Sequence, residues 1–402
     1  LASMILDEEH SRSYRTRSRP YISYKTFIEF FAKASGKELI IGDTVLSIET
    51  LWKQSQGAFA ELVPLKWRVT EAAEATIVDM KRLKDESGRF EIFSPELKAL
   101  VATALKEEKQ IFLFGARKGL SSTTVCGDCG DLLACKNCGA PLVLHKKSAE
   151  ENIYICHACG AQRSPETRCD NCSSWKLVPL GIGIDRIADE ARKLWPRAHI
   201  YIFDKDHVET ARAARILAKQ IADDRQVIVI GTELYPLYME SVPYAGIVSL
   251  DAFFAIPDFG VHERVFSLVS KIREMTEREM LIQTRNIGRD IITQAARGNI
   301  LDFYKTEISD RQSFRYPPFS IFIKILSETR EAELGKKAAA LKALFEEWNP
   351  EFLKRRGSTA GMFVLSMIMR MPRVAWPEKE LVRKLTLLTP DFLITVDPES
   401  IL

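Results

Sequence analysis

Short apolar runs alternate with amphipathic stretches along most of the chain. Strands separated by helices of about a dozen residues indicate βαβ units and a parallel sheet. Helices are predicted at 185–195 (DRIADEARKLW) and 208–222. The runs typical of buried strands are QIFLFG (110–115), HIYIFD (199–204), QVIVIG (226–231) and AGIVSLDA (245–252). The pattern therefore predicts an α/β fold.

The first part of the chain carries the same pattern more weakly. Residues 1–6 predict a strand, and KELIIGDTVLSIETLW (37–52) predicts a second strand, a turn and a helix. Further short strands are predicted at 61–63 and 76–78. Because Leu1 lies inside an apolar run without a start methionine, we expect additional sequence upstream.

Two other segments mark the start of a helix and the start of a C-terminal unit. Ser94 can cap a helix that has Pro95 at its first position, which is a typical helix start. From about residue 300 the character changes. RYPPFSIFIKILS (315–327) begins a C-terminal unit that is βαβ-like and ends at FLITVDPESIL (392–402).

Composition narrows the class of protein. With 402 residues, 46% of them hydrophobic and 28% charged, the chain can form two or three ordinary globular domains. It contains no run of about 18 apolar residues and begins without a basic signal region, so we expect a cytoplasmic protein. A formal charge of +3 neither requires nor excludes a nucleic-acid partner, and local basic clusters must decide.

The eight cysteines carry the strongest chemical signal. All belong to CxxC pairs, and each such turn can place two sulfurs on one side of a zinc ion. Gly130, Gly139 and Gly160 follow the second cysteine of three pairs, where a residue with positive φ is typical of a zinc knuckle. Four turns predict two structural Zn²⁺ sites. The pairs are Cys126/Cys129, Cys135/Cys138, Cys156/Cys159 and Cys169/Cys172.

Other uses of these cysteines fit less well. Disulfide frameworks are typical of short secreted chains, and a redox CxxC normally occurs once beside a βαβ unit. Eight thiolates already satisfy two metals, so His145 and His157 are left out of the sites. Spacing alone allows the pairs to combine either in a nested way or in sequence.

Taken together, these parts resemble one family, the primosomal protein N′ (PriA) family of bacterial replication-restart helicases. DEEH resembles a DExH box, and RYPPF and VDP resemble the C-terminal domain of that family. The resemblance runs over the whole chain. The matching segments are DEEH (7–10), GDTVLSIETL (42–51), FLFGARKG (112–119), GIGIDRIADEARKLWP (181–196), FDKD (203–206), RYPPF (315–319) and VDP (396–398).

The resemblance implies a fold and a cysteine pairing. It implies RecA-like helicase lobes, an inserted two-zinc module and an α+β C-terminal domain. The implied domains are the C-terminal part of lobe 1 in 1–92, lobe 2 in 93–115 and 181–300, the zinc module in 116–180 and the C-terminal domain in 301–402. Nested pairing would place Cys126, Cys129, Cys169 and Cys172 on one zinc and Cys135, Cys138, Cys156 and Cys159 on the other.

ATP hydrolysis is the implied activity, but its motifs are incomplete. Asp7 could hold Mg²⁺ through water and Glu8 could position the attacking water. The simpler interpretation is that these acids lie at the start of a helix, where their charges complement the helix dipole. No GxxxxGK[ST] loop occurs in the chain, and the resemblance places that loop upstream of DEEH, in the additional sequence expected before Leu1. The departures in the second lobe are independent of that missing segment. GTELYPLYMESVPY (231–244) lacks the family's Lys-Gly, and SKIREMTEREM (270–280) lacks the glycines and arginine spacing of its arginine motif and resembles plain helix. We therefore expect ATP and Mg²⁺ to support no useful turnover.

Binding to forked or single-stranded DNA is the function that would remain. Basic groups can neutralise phosphates, and aromatic rings can stack on exposed bases. The simpler interpretation is a set of solvated surface charges. The candidates beside the cysteines are Arg117, Lys118, Lys136, Lys146 and Lys147, and those at the C-terminal junction are Arg311, Phe314, Arg315 and Tyr316.

Two alternatives stay open. The protein could be a zinc-stabilised interaction platform of the replisome, binding partners such as a replicative helicase loader and single-strand binding protein. It could also be an active ATP-dependent 3′–5′ helicase whose N-terminal half lies outside this sequence.

Overall fold

The computed structural model describes residues 3–16, 21–62, 73–116, 123–137, 141–146, 152–156, 161–255, 258–356 and 361–398. The strands are β1 (Ser3–Leu6), β2 (Glu38–Ile41), β3 (Glu74–Asp79), β4 (Ile111–Phe114), β5 (Thr123–Cys126), β6 (Leu142–Lys146), β7 (Asn152–Cys156), β8 (Gln162–Arg163), β9 (Leu177–Leu180), β10 (His199–Phe203), β11 (Val227–Gly231), β12 (Val242–Ile247), β13 (Thr276–Thr284), β14 (Ser320–Arg330), β15 (Glu351–Arg356), β16 (Met362–Pro372) and β17 (Leu393–Val396).

The helices alternate with these strands over most of the chain. They are α1 (Tyr24–Ser35), α2 (Ile48–Ser55), α3 (Pro95–Lys106), α4 (Ile184–Leu194), α5 (Ala211–Asp223), α6 (Val261–Met275), α7 (Asp290–Ala296), α8 (Ile300–Ser313), α9 (Glu331–Phe345) and α10 (Lys379–Thr386). The chain groups into two compact units, one of Leu1–Leu65, Asp258–Glu263 and Tyr304–Leu402, the other of Lys66–Pro257 and Arg264–Phe303.

A six-stranded parallel sheet forms the core of the second unit. Its strand order is β10-β11-β4-β12-β13-β3, and every neighbouring pair is parallel. Strands covered on both faces are apolar throughout, and all five residues of β11 are buried. The predicted parallel α/β architecture is therefore confirmed.

Several predicted elements of this unit are also confirmed. Ser94 caps α3, its side chain accepting a hydrogen bond from the Leu97 N–H at 3.1 Å, and Pro95 is the first helical residue. The strand expected at 76–78 is part of β3, which pairs with β13 in the six-stranded sheet. The family resemblance had instead placed this strand, with the rest of residues 1–92, in the other lobe. Residues 61 and 62 form no strand. The domain boundaries remain predictions.

The cysteine segment follows β4 and ends before α4. It contains a two-stranded sheet of β5 and β9 and a three-stranded sheet of β6, β7 and β8. Leu133, Leu142 and Tyr154 form a small buried cluster with Cys135 and Cys156. This small core is formed within the inserted segment itself.

In the described part of the first unit there are two separate sheets. Strands β1 and β2 pair in parallel, with Leu6 opposite Ile41, and α1 connects them. The C-terminal sheet is antiparallel, in the order β15-β16-β14-β17. Because β14 and β15 are each antiparallel to β16 between them, the unit is a split βαβ rather than the simple βαβ-like unit expected. Its core lies against α9 and α10.

Within the described residues, no helix combines the length and apolar composition needed to traverse a bilayer.

Candidate metal centre and acidic cluster

Two CxxC turns meet at the end of the β5–β9 ribbon. Cys126 is the last residue of β5 and lies opposite Leu177 at the start of β9. Cys169 and Cys172 form the turn that precedes β9. The antiparallel pairing therefore places the first and fourth cysteine pairs side by side, as nested pairing requires.

The four sulfurs form a compact group. The Sγ atoms of Cys126, Cys129, Cys169 and Cys172 all lie within 4.8 Å of one another. Cys126 and Cys172 approach to 3.5 Å, and Cys129 and Cys169 to 3.6 Å. These separations exceed an S–S bond of about 2.05 Å. They match the spacing of about 3.8 Å expected for sulfurs placed tetrahedrally at about 2.3 Å from one zinc ion. The group could hold a metal ion.

The backbone of the first turn supports this geometry. Gly130 has a φ of +78°, as predicted, and its N–H donates to the Cys126 carbonyl at 2.9 Å. The Asp128 N–H points to the Cys126 sulfur at 3.4 Å. Such N–H donors stabilise a thiolate.

The thiols themselves differ in acidity. Burial acts to raise the pKa of Cys126, but backbone N–H groups of Cys129 and Asp128 outweigh it and lower the pKa to about 7. Burial raises the pKa of Cys169 to about 12. Four adjacent thiolates repel one another, so a bound cation would be needed to keep all four deprotonated near neutral pH.

The second predicted site lies only partly within the described residues. Cys135 and Cys156 are buried and share one small hydrophobic cluster. Cys138 and Cys159 lie outside the described residues, as do Gly139 and Gly160. This site remains a prediction.

The DEEH segment follows β1 in the first unit. Asp7 is exposed, and its Oδ1 accepts a hydrogen bond from the Glu8 N–H at 3.0 Å. Glu8 has a φ of +50°. The buried acid of the segment is instead Glu9, which is 5% exposed. The burial of Glu9 is not predictable from the sequence, because nothing in its neighbourhood marks it as buried.

Glu9 is held by a complete set of donors. It pairs with the Lys25 ammonium group and accepts hydrogen bonds from the Ser47 N–H at 2.9 Å and the Ser47 hydroxyl at 2.6 Å. Burial acts to raise the pKa of Glu9, but Lys25 and the hydroxyl donors outweigh it, so the pKa is lowered. A fully paired carboxylate of this kind stabilises local structure.

His10 joins a second buried network in the same unit. Its ring nitrogens lie 3.0 Å from Asp43 Oδ2 and 2.9 Å from Glu263 Oε1. Burial acts to lower the pKa of His10, but hydrogen bonds to these two carboxylates outweigh it and raise the pKa to about 9. Glu263 also accepts from Arg311 at 2.5 Å, and Arg311 donates to Glu307 at 2.9 Å.

This network changes the interpretation of Arg311. Its side chain is 2% exposed and is paired with two carboxylates, so it offers no exposed donor to a nucleic acid in this structure. Arg315 is exposed, and Phe314 is 60% exposed. Tyr316 is half-buried, with its ring centre 5.6 Å from that of Phe259. Because it is buried, Arg311 is removed from the predicted DNA-contacting group. Nothing in its sequence neighbourhood indicates this burial.

The basic residues beside the cysteines are less completely described. Lys136 forms an ion pair with Asp170 at 3.4 Å. Lys146 ends β6. Arg117, Lys118 and Lys147 lie outside the described residues.

The segment expected to replace the arginine motif is not wholly helical. Helix α6 ends at Met275, and Thr276 begins β13, because the following residues join the parallel sheet. Arg273 is buried and donates to the Ala73 carbonyl at 3.0 Å. Arg278 donates to Glu107 at 2.7 Å. Both arginines have partners within the second unit.

Comparison with known proteins identifies relatives along most of the chain. No protein-family model matches it. The replication restart protein PriA of Borreliella burgdorferi is 26% identical over 345 residues, which cover 84% of this chain and 51% of that protein. PriA of Bacillus subtilis is 26% identical over 347 residues, 84% of this chain and 42% of that protein.

A further relative agrees with these two. PriA of Haemophilus influenzae is 24% identical over 344 residues, which cover 84% of this chain and 46% of that protein. The chain is a homologue of the PriA proteins. It spans about half the length of the PriA relatives that it matches. The resemblance inferred from the motifs is thus confirmed.

The four-cysteine cluster of this PriA homologue can be tested by removing one sulfur. We expect Cys129→Ser to lower bound zinc and to speed zinc loss to a chelator, because three thiolates and a hydroxyl bind zinc more weakly. Metal content would be measured by mass spectrometry of the purified protein. Ser164→Ala, which alters an exposed turn of the same segment, is the control, and equal zinc content in both variants would contradict the site.

The His10 network predicts a pH dependence of stability. The folded state holds the His10 proton up to a pKa of about 9, against 6.5 ordinarily, so this contribution is complete below pH 6.5 and is lost as pH rises through 9. We expect His10→Gln to flatten the fall in unfolding free energy over that window, measured by urea denaturation with zinc present. His199→Gln, whose ring is 62% exposed, should keep the dependence of the unchanged chain. Equal slopes for both variants would refute the assignment.

Proposed function

We propose that the chain is part of a replication restart protein of the PriA type that acts at forked or single-stranded DNA. The observation that carries this proposal is the match to PriA proteins over 84% of the chain. That span includes both the parallel sheet and the cysteine segment inserted after β4. A replication restart role also suits a cytoplasmic location.

The proposed metal is zinc. Cys126, Cys129, Cys169 and Cys172 fit one ion, and Cys135, Cys138, Cys156 and Cys159 are the proposed ligands of a second. A structural zinc ion would supply folding free energy to a segment whose own hydrophobic core is small.

The proposed domain arrangement follows the family resemblance. The six-stranded sheet suits a second RecA-like lobe, DEEH the end of a first lobe, and the split βαβ unit a C-terminal domain. The proposed DNA-contacting residues are Arg117, Lys118, Lys146, Lys147, Arg315 and Tyr316, with Phe314 beside them.

We further propose that ATP-driven unwinding is lost or impaired. Two observations support this. The buried acid of the DEEH segment, Glu9, is paired with Lys25. Arg273 and Arg278 are engaged within the second unit. The alternative of an active helicase rests on DEEH alone.

Partner proteins form the last part of the proposal. A replicative helicase loader and single-strand binding protein are the proposed partners, and the cysteine segment is the proposed contact. If this segment were only an interaction platform, DNA binding would be weak and independent of salt, which separates the two functions experimentally.

DNA binding is tested with a fork substrate across a salt series. We expect log affinity to fall with log salt concentration, and Arg315→Ala to reduce that slope by about 1 because one phosphate contact is lost. Phe314→Ala should weaken single-strand binding by about 1–3 kcal/mol through lost base stacking. Arg383→Ala is the control, since Arg383 is exposed and paired with Glu380 at 2.7 Å. Weak binding that does not change with salt would contradict the proposal.

ATP turnover is tested on the full-length gene product. We expect DNA-stimulated hydrolysis far below about 1 s⁻¹, because loss of an arginine finger alone costs about 10³-fold. Glu8→Gln provides the background from contaminating enzymes. Turnover near about 1 s⁻¹ that disappears in Glu8→Gln would overturn the proposed loss of activity.

A further inference from the structure

The loop after β3 reaches the first CxxC turn from the sheet. We propose that Lys84, on the loop Met80–Phe90, is a positioning residue for the metal centre of Cys126, Cys129, Cys169 and Cys172. By this inference the loop also fastens that centre to the carboxyl edge of the parallel sheet. The inference rests on the zinc site proposed above.

Lys84 contacts the backbone between two of the proposed ligands. Its ammonium group donates to the carbonyl of Gly127 and to that of Asp128, the latter at 3.2 Å. These two residues separate Cys126 from Cys129. A lysine that holds both carbonyls fixes the turn and hence the spacing of its two sulfurs.

The same loop makes two more contacts with this turn. The Lys81 ammonium group lies 2.9 Å from Asp131 Oδ1. The Lys81 carbonyl lies so close to Gly130 that a Cβ atom there would be only 1.6 Å from the oxygen. Only glycine permits this approach, so the loop and the turn are fitted backbone to backbone.

The other side of the loop is anchored to the sheet. The Met80 N–H donates to the Thr284 carbonyl at the end of β13 at 2.9 Å. Arg285, 1% exposed, donates to the Met80 carbonyl at 2.5 Å. The Phe90 ring contacts both cations, with its centre 4.4 Å from the Arg285 guanidinium and 5.0 Å from the Lys84 ammonium. The loop thus links β13 to the metal turn.

Charge gives this arrangement a physical reason. Four thiolates and one Zn²⁺ carry a net charge of about −2. Lys84 brings a positive charge to the turn from a position 42 residues before Cys126. Groups that neutralise and orient metal ligands in this way commonly change metal affinity about 10–100-fold when removed.

The test compares zinc retention in three variants by chelator competition. We expect Lys84→Met to weaken zinc binding at the four-cysteine site by about tenfold or more. Lys84→Arg, which keeps the charge and the donors, should restore most of it. Lys106→Met, on an exposed residue at the end of α3, is the control and should bind zinc as the unchanged chain does.

Hydrogen exchange of the unchanged chain supplies a second measurement, which needs no variant to fold. Removing zinc should raise exchange of the amides in 80–90 relative to those of α5. The inference is overturned if Lys84→Met retains zinc normally or if Lys84→Arg does not recover zinc binding. It is also overturned if hydrogen exchange in 80–90 does not change when zinc is removed. An unchanged chain that binds no zinc would refute the metal site first, and the inference with it.

Discussion

The cysteine segment must return to the point where it leaves the sheet, and the four-cysteine cluster depends on this constraint. Ala116, just beyond β4, bridges Gly183, just before α4, and β5 pairs with β9. The entropy cost of closing such a loop grows only slowly with its length. The β5–β9 ribbon can therefore carry a long insertion and still end with Cys126 beside Cys172. Without the pairing of β5 with β9, the first and fourth cysteine pairs would not lie side by side.

Sequence patterns predicted the features that depend on near neighbours. The CxxC turns, the positive φ of Gly130 and the Ser94 cap each involve residues within a few positions, so spacing determines them. The parallel sheet was predictable because runs buried on both faces are apolar throughout. The antiparallel order of the C-terminal sheet was not, because it depends on β16 entering between β14 and β15. Pairing across the chain has no local signal.

Buried charges were the other limit of prediction. Arg311 resembles a surface base in sequence, yet its partner Glu263 lies 48 positions earlier. Burying such an arginine is tolerable only when carboxylates offset its desolvation, and Glu263 and Glu307 do so together. Likewise Glu9 is a paired interior group because Lys25 and Ser47 surround it. A charged motif therefore indicates chemistry only after its partners are known.

The same reasoning constrains the interpretation of the basic residues around the cysteines. A lysine that binds a cysteine turn or a carboxylate cannot also neutralise a phosphate without giving up the first interaction. Lys84 and Lys81 are committed to the first CxxC turn, and Lys136 is paired with Asp170. The positive charges of these three lysines are therefore partly compensated by other groups of the protein. A DNA surface on this segment must be sought among cations that the CxxC turns and nearby carboxylates do not already bind.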